Sequence, residues 1–150
     1  MERKQFLKSL GAGAAFAIAF PCMHACSKDE GLPGDEGGNI PVPTGVDFTV
    51  DLESSEASAL GENGGFIFKN SVVVVKNLEG NFVAASRVCS HQGYEDVQFL
   101  DRDGGIFYCG VHGSRFEQDG SPLNKVDKQP SKNLKIFKTE LLGTVLRVFE

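Results

Sequence analysis

Two short knuckles, Cys89-Ser90-His91 and Cys109-Gly110-Val111-His112, hold every cysteine and histidine that the chain carries beyond residue 26, with 17 residues between them. Thiolates and imidazoles delivered in this pairing are metal-ligand chemistry. A metal constrains the fold more tightly than a hydrophobic pattern does, because two segments distant in sequence must bring four side chains together, and binding becomes part of the folding free energy. The 150 residues leave room for one modest domain once the ends are set aside, and 41% hydrophobic residues suffice for a single core.

Two other chemistries compete for these residues. A disulfide between Cys89 and Cys109 would suit an exported chain, but it requires no histidine at matched spacing from each cysteine. A zinc site of two cysteines and two histidines is the second alternative. Zinc fingers pair cysteine with cysteine and histidine with histidine, whereas each knuckle here mixes one of each and the second runs on into Gly113-Ser114.

The pattern Cys-x-His, Cys-x-x-His-Gly-Ser resembles the Rieske [2Fe–2S] family, in which one iron is held by sulfur and the other by nitrogen. The resemblance implies one [2Fe–2S] cluster per chain, with Cys89 and Cys109 on the inner iron and His91 and His112 on the outer iron. It implies a cluster-binding subdomain and electron transfer between a redox protein donor and acceptor. Ser114 stands where family members often place a hydroxyl bonded to a bridging sulfide. Phe116 stands where respiratory-complex members place a tyrosine that donates to a cysteine sulfur, and Pro130, in Gln129-Pro130, opens the third, covering loop. Those members also carry one further cysteine in each cluster loop, paired as a disulfide; here the matching positions are Tyr94 and Val111, so that clamp is missing.

The N-terminus reads as an export signal over residues 1–25. Arg3, Lys4 and Lys8 precede a short apolar run, residues 10–20, that is too brief to span a bilayer. Glu2-Arg3-Lys4-Gln5-Phe6-Leu7-Lys8 is similar to a twin-arginine signal with lysine in place of the second arginine, a route suited to cargo that folds around its cofactor before export. Ala25-Cys26 followed by Ser27-Lys28-Asp29-Glu30 resembles a lipoprotein cleavage site, with Cys26 rather than Cys22 as the lipidated residue. The mature chain is then expected as a membrane-anchored lipoprotein facing the periplasm or the cell surface. Residues 26–45, rich in Gly and Pro, read as a flexible tether, and residues 46–150 as the folded domain.

Within that domain residues 46–52 alternate apolar with polar, and 65–69 and 72–75 read as buried strands. Residues 82–85 follow the turn Asn77-Leu78-Glu79-Gly80, and further strands are expected over 97–100, 105–108, 134–138 and 144–149. No helical stripe interrupts them. The pattern predicts an all-β fold, an antiparallel β-sandwich or partly closed barrel, with the knuckles in the loops after the 82–85 and 105–108 strands.

Charge narrows the partners. The formal net charge is −5, and setting aside residues 1–25, which carry Arg3, Lys4 and Lys8 against Glu2, leaves the chain more negative still. Nucleic acid is therefore excluded as a partner, while an acidic surface could steer docking to a basic redox protein. No small-molecule substrate pocket is expected, since beyond the four ligands no cysteine or histidine remains in residues 46–150 to act as nucleophile or base. The sequence points to an electron carrier anchored by lipid, with two alternatives: a permanently docked subunit of an oxidase or quinol-oxidising complex, or a surface lipoprotein stabilised by zinc or a disulfide.

Overall fold

Four consecutive valines explain how the domain is layered. In the computed structural model, which describes residues 38–130 and 132–150 and only the backbone at 129 and 130, these valines lie in β3, Val72–Lys76. Side chains alternate across a strand, so Val72 and Val74 enter one core with Val50, Ala57, Leu60, Leu146 and Val148, while Val73 and Val75 enter another with Phe99, Phe107 and Phe116. Burial on both faces is why the run is continuously apolar rather than alternating.

β3 belongs to a six-stranded antiparallel sheet in the order β1-β11-β10-β4-β3-β2. The other members are β1 (Asp47–Asp51), β2 (Phe66–Lys69), β4 (Phe82–Ser86), β10 (Ile136–Leu142) and β11 (Val145–Phe149). β10 joins the two halves: Ile136 and Phe137 pair with Ala85 and Ala84 of β4, whereas Lys138 to Leu142 pair with β11. This change of partner curls the sheet into a half-barrel closed on one side by the 3₁₀ helix Ser55–Gly61, which buries Ala57 and Leu60. The helix was not expected from the sequence, because its two buried residues are too few to make a stripe.

The second layer is smaller. β5 (Val97–Leu100), β6 (Ile106–Cys109) and β7 (Arg115–Phe116) form a three-stranded antiparallel sheet, followed by a hairpin of β8 (Lys125–Val126) and β9 (Gln129–Pro130). The small sheet lies between β4 and β10 in sequence. Leu134 and Gly120 tie its return to the large sheet, through a hydrogen bond from the Leu134 N–H to the Gly120 carbonyl at 2.8 Å.

The all-β architecture and the long strands agree with the sequence reading; the last hairpin differs in extent, since β10 starts at Ile136 rather than 134 and runs to Leu142. The signal over residues 1–25 and Cys26 lie outside the described residues. Of the tether expected over 26–45, the described part, 38–45, is bonded to the domain. The N–H groups of Asn39 and Ile40 donate to the carbonyls of Gln92 and Gly93 at 2.9 and 3.0 Å, and the Gly45 N–H donates to the Glu150 carboxylate. Composition argued against a packed segment, but backbone donors need only acceptors, and the first knuckle offers two. Among the described residues no helix is long and apolar enough to cross a membrane.

Gly120 tests how tightly the two layers are joined. Its φ is +89°, and a β-carbon there would lie 2.3 Å from the Leu134 carbonyl oxygen. Gly120→Ala should therefore cost about 2–4 kcal/mol, from left-handed strain plus overpacking, and lower the thermal midpoint of the cluster-loaded protein by about 10 °C or more. An unchanged midpoint would show that the layers are not held at this point.

Candidate metal centre

Each knuckle is the same loop. In the first, the Cys89 N–H donates to the Tyr94 carbonyl at 2.8 Å and the Gly93 N–H donates back to the Cys89 carbonyl at 2.9 Å. In the second, the Cys109 N–H donates to the Ser114 carbonyl at 2.9 Å and the Gly113 N–H to the Cys109 carbonyl at 3.0 Å. Both close on a glycine in the left-handed region, φ +69° at Gly93 and +75° at Gly113, which an L side chain adopts only with strain. The strands feed them side by side. β4 leads to the first loop through the bridge Val88↔Glu95, β6 ends on Cys109, and Val97 faces Cys109 across β5 and β6.

The four candidate ligands divide into two ends. Cys89 and Cys109 are buried, 2% and 0% exposed, and belong to the core that includes Phe107, Phe116 and Leu134. The imidazoles of His91 and His112 stand edge to face with centroids 5.1 Å apart, and both residues are half-buried where the cysteines are buried. The candidate donors form a sulfur pair and a nitrogen pair, the set that a two-iron centre held by sulfur at one end and nitrogen at the other would use.

The chemistry of the donors also fits such a group. Both cysteines are free, and the hydrogen bond between their sulfurs holds the Cys89 thiol down to about 6 against the opposing effect of burial. The same bond, with burial, pushes Cys109 up. Burial of the pair resists its full ionisation, a cost that a bound cation would offset. His91 Nδ1 is buried without a hydrogen-bond partner, as expected of an atom that faces a metal. Its Nε2 lies 3.4 Å from Asp127 Oδ2.

Ser114 is buried directly after the second knuckle. Its hydroxyl contributes to lowering the Cys89 thiol, yet it falls short of hydrogen-bond geometry to any protein acceptor and is buried with its capacity unspent. Phe116 is fully buried on β7 opposite Phe107 and has no hydroxyl to offer a sulfur. Pro130 ends β9, the second strand of the β8–β9 hairpin. Tyr94 and Val111, the positions of the missing clamp, occupy corresponding loops; the Tyr94 ring meets His112 edge-on at 5.2 Å, and Val111 is exposed. Arg87 takes no part, stacking over Phe68 at 3.9 Å and reaching Glu95.

Several supporting residues were not singled out in the sequence. Asn124 fastens the second knuckle by accepting from the Arg115 N–H at 2.9 Å and donating to the Gly113 carbonyl at 2.8 Å. The Ser90 hydroxyl donates to the Lys132 carbonyl at 2.6 Å. The repeated spacing Cys-x-x-x-Gly, Cys89 to Gly93 and Cys109 to Gly113, was a signal for the shared loop.

The two glycines separate backbone strain from packing. A β-carbon on Gly113 would meet nothing within 4 Å, whereas one on Gly93 would lie 2.9 Å from the Asn39 nitrogen. Gly113→Ala should cost about 1–2 kcal/mol, and Gly93→Ala should cost more. In a protein lacking residues 1–40 the two costs should become equal, as read by thermal unfolding with cluster bound. A difference that survives truncation would show that the N-terminal segment does not press on the knuckle.

Comparison with known proteins places the chain in one family. A family model described as the Rieske [2Fe-2S] domain matches residues 48–139. The cytochrome b6-f complex iron-sulfur subunit of Chlorobaculum tepidum is 23% identical over 137 residues, covering 90% of this chain and 70% of that protein. The subunit of the same name from Chlorobaculum thiosulfatiphilum is 26% identical over 134 residues, 89% of this chain and 69% of that one. Among solved structures, the cyanobacterial plasma membrane Rieske protein PetC3 from Synechocystis PCC 6803 aligns with a TM-score of 0.48 and 24% identity, over 63% of this chain and 93% of its own.

Proposed function

The chain belongs to the Rieske [2Fe–2S] domain family, and we propose that it serves as an exported, membrane-tethered one-electron carrier. The observation that carries the reading is the two-ended donor set: a sulfur pair sunk in the core and a half-buried imidazole pair. When bound, the [2Fe–2S] cluster supplies one reversible electron at a time. Cys89 and Cys109 would hold its inner iron where water is excluded, and His91 and His112 would hold the outer iron and form the exit for the electron. The Ser114 hydroxyl, which helps to lower the Cys89 thiol, would favour the more negative, reduced form of such a cluster. Phe116 offers apolar packing where a tyrosine would offer a second such donor.

A second reading has support of its own. The Chlorobaculum relatives are subunits of a complex, which favours as the alternative a permanently docked subunit of an oxidase or quinol-oxidising complex. The tethered carrier is preferred because the basic start of the chain, the short apolar run and Cys26 form one continuous export and lipidation pattern.

The purified protein should show broad visible bands that dithionite bleaches and air restores, with two irons and two sulfides per chain. Cys89→Ala should lose both bands and iron. A colourless wild type, or a Cys89→Ala protein with full iron content, contradicts the assignment.

Membrane attachment is tested separately. Cys26→Ala should move the protein out of the membrane fraction or stop its processing, since one lipidated residue is the attachment proposed. A Cys26→Ala protein that stays in the membrane fraction at unaltered mass would show that Cys26 is not the anchor.

A further inference from the structure

The two imidazoles have different neighbours. His91 is 9% exposed at its side chain and faces the Asp127 carboxylate, Nε2 to Oδ2 3.4 Å. Among the described residues no carboxylate lies within ion-pairing distance of His112, whose ring instead stands edge-on to those of His91 and Tyr94.

Asp127 is brought to His91 by local construction that the hairpin alone does not require. It is the first residue of the two-residue turn Asp127-Lys128 between Val126 and Gln129, which pair across β8 and β9. Both turn residues have left-handed φ, +51° and +63°, a turn for which Asn-Gly is the low-strain choice. Contacts moor the hairpin region to both knuckles. Asn124, just before β8, bonds to Gly113 and Arg115, and Ser90, beside His91, bonds to the Lys132 carbonyl just after β9.

We propose that Asp127 is a positioning residue for His91 that also sets the redox potential of this end of the site. The inference rests on the reading of His91 as a ligand. With the iron taken up at the buried Nδ1, the ring proton resides on Nε2 and faces Asp127 Oδ2 as its acceptor. At 3.4 Å the contact is longer than a full hydrogen bond; a cation on Nδ1 makes the Nε2–H a stronger donor and draws the pair together. A carboxylate on the far nitrogen fixes the ring plane and makes the imidazole a stronger donor to iron. It also places a negative charge beside the end that receives the electron. Both effects disfavour reduction, so Asp127 lowers the potential. Because its side chain is 62% exposed, solvent screens much of the charge and the effect is moderate.

The test is protein-film voltammetry of cluster-loaded wild type, Asp127→Asn, Asp127→Glu and Lys128→Gln, with the nitrogen hyperfine couplings of the reduced proteins as a second readout. Asp127→Asn should favour reduction three- to tenfold, which is about 30–60 mV upward at about 59 mV per tenfold for one electron, and should alter one imidazole coupling. Asp127→Glu should recover part of the shift. Lys128→Gln, in the same turn, should leave the couplings unchanged. An Asp127→Asn potential within threefold of wild type overturns the proposal. Equal and opposite shifts in Asp127→Asn and Lys128→Gln, with unchanged couplings, also overturn it, because distant charge would then account for everything. A wild type with no one-electron couple would overturn the functional reading itself, a result distinct from either.

Discussion

The contact between two buried sulfurs is the constraint on which this domain depends. Cys89 and Cys109 lie in the same apolar core as Phe107, Phe116 and Leu134, so the inner end of the metal site and the packing between the two sheets are one structure. Burial of both thiols opposes ionising the second, a cost that a bound cation would offset. Loading the site and completing the core are therefore linked, as in other small metal domains whose binding energy is part of their folding energy. The curled sheet follows from the same need. β3, buried on both faces, is the wall that separates the core beneath the sulfurs from the one under the 3₁₀ helix.

Around the sulfurs, polar contacts rather than covalent ones hold the loops. Respiratory-complex relatives are expected to cross-link their cluster loops, and here Tyr94 and Val111 stand at those positions. Three other ties act on the knuckles: the backbone of Asn39 and Ile40 on the first, Asn124 on the second, and the Ser90 hydroxyl linking the first to the chain after β9. Each tie consists of one or two hydrogen bonds, worth on the order of 1 kcal/mol net apiece. Together they restrain the loops without a redox-sensitive bond beside the electron's path.

Much of the fold and most of the site were legible in the sequence because their signals are local. The Cys-His knuckles name the candidate donors directly, and the period-two and continuous apolar runs mark the strands within a few residues. What was missed depends on tertiary partners. The Asn39 and Ile40 backbone bonds leave no trace in composition, so a Gly- and Pro-rich segment reads as a free tether although its last residues are docked. Asp127 looks like an ordinary turn residue until the hairpin is seen to lie over His91. The two-residue strands β7, β8 and β9 are too short to show any period. Asn124 is likewise unremarkable in sequence, since its worth lies in two backbone groups of another loop.

The central claim is that sulfur holds one end of the site and imidazole nitrogen the other. Electron spin-echo spectroscopy of the dithionite-reduced protein addresses it most directly, because the unpaired electron reports the atoms bonded to the reduced iron. The account predicts a rhombic signal coupled to two inequivalent imidazole nitrogens, one of which is lost together with the cluster's native spectrum when His112 is replaced. A reduced cluster that shows no directly coupled nitrogen would mean that all ligands are sulfur, and would contradict the assignment of His91 and His112.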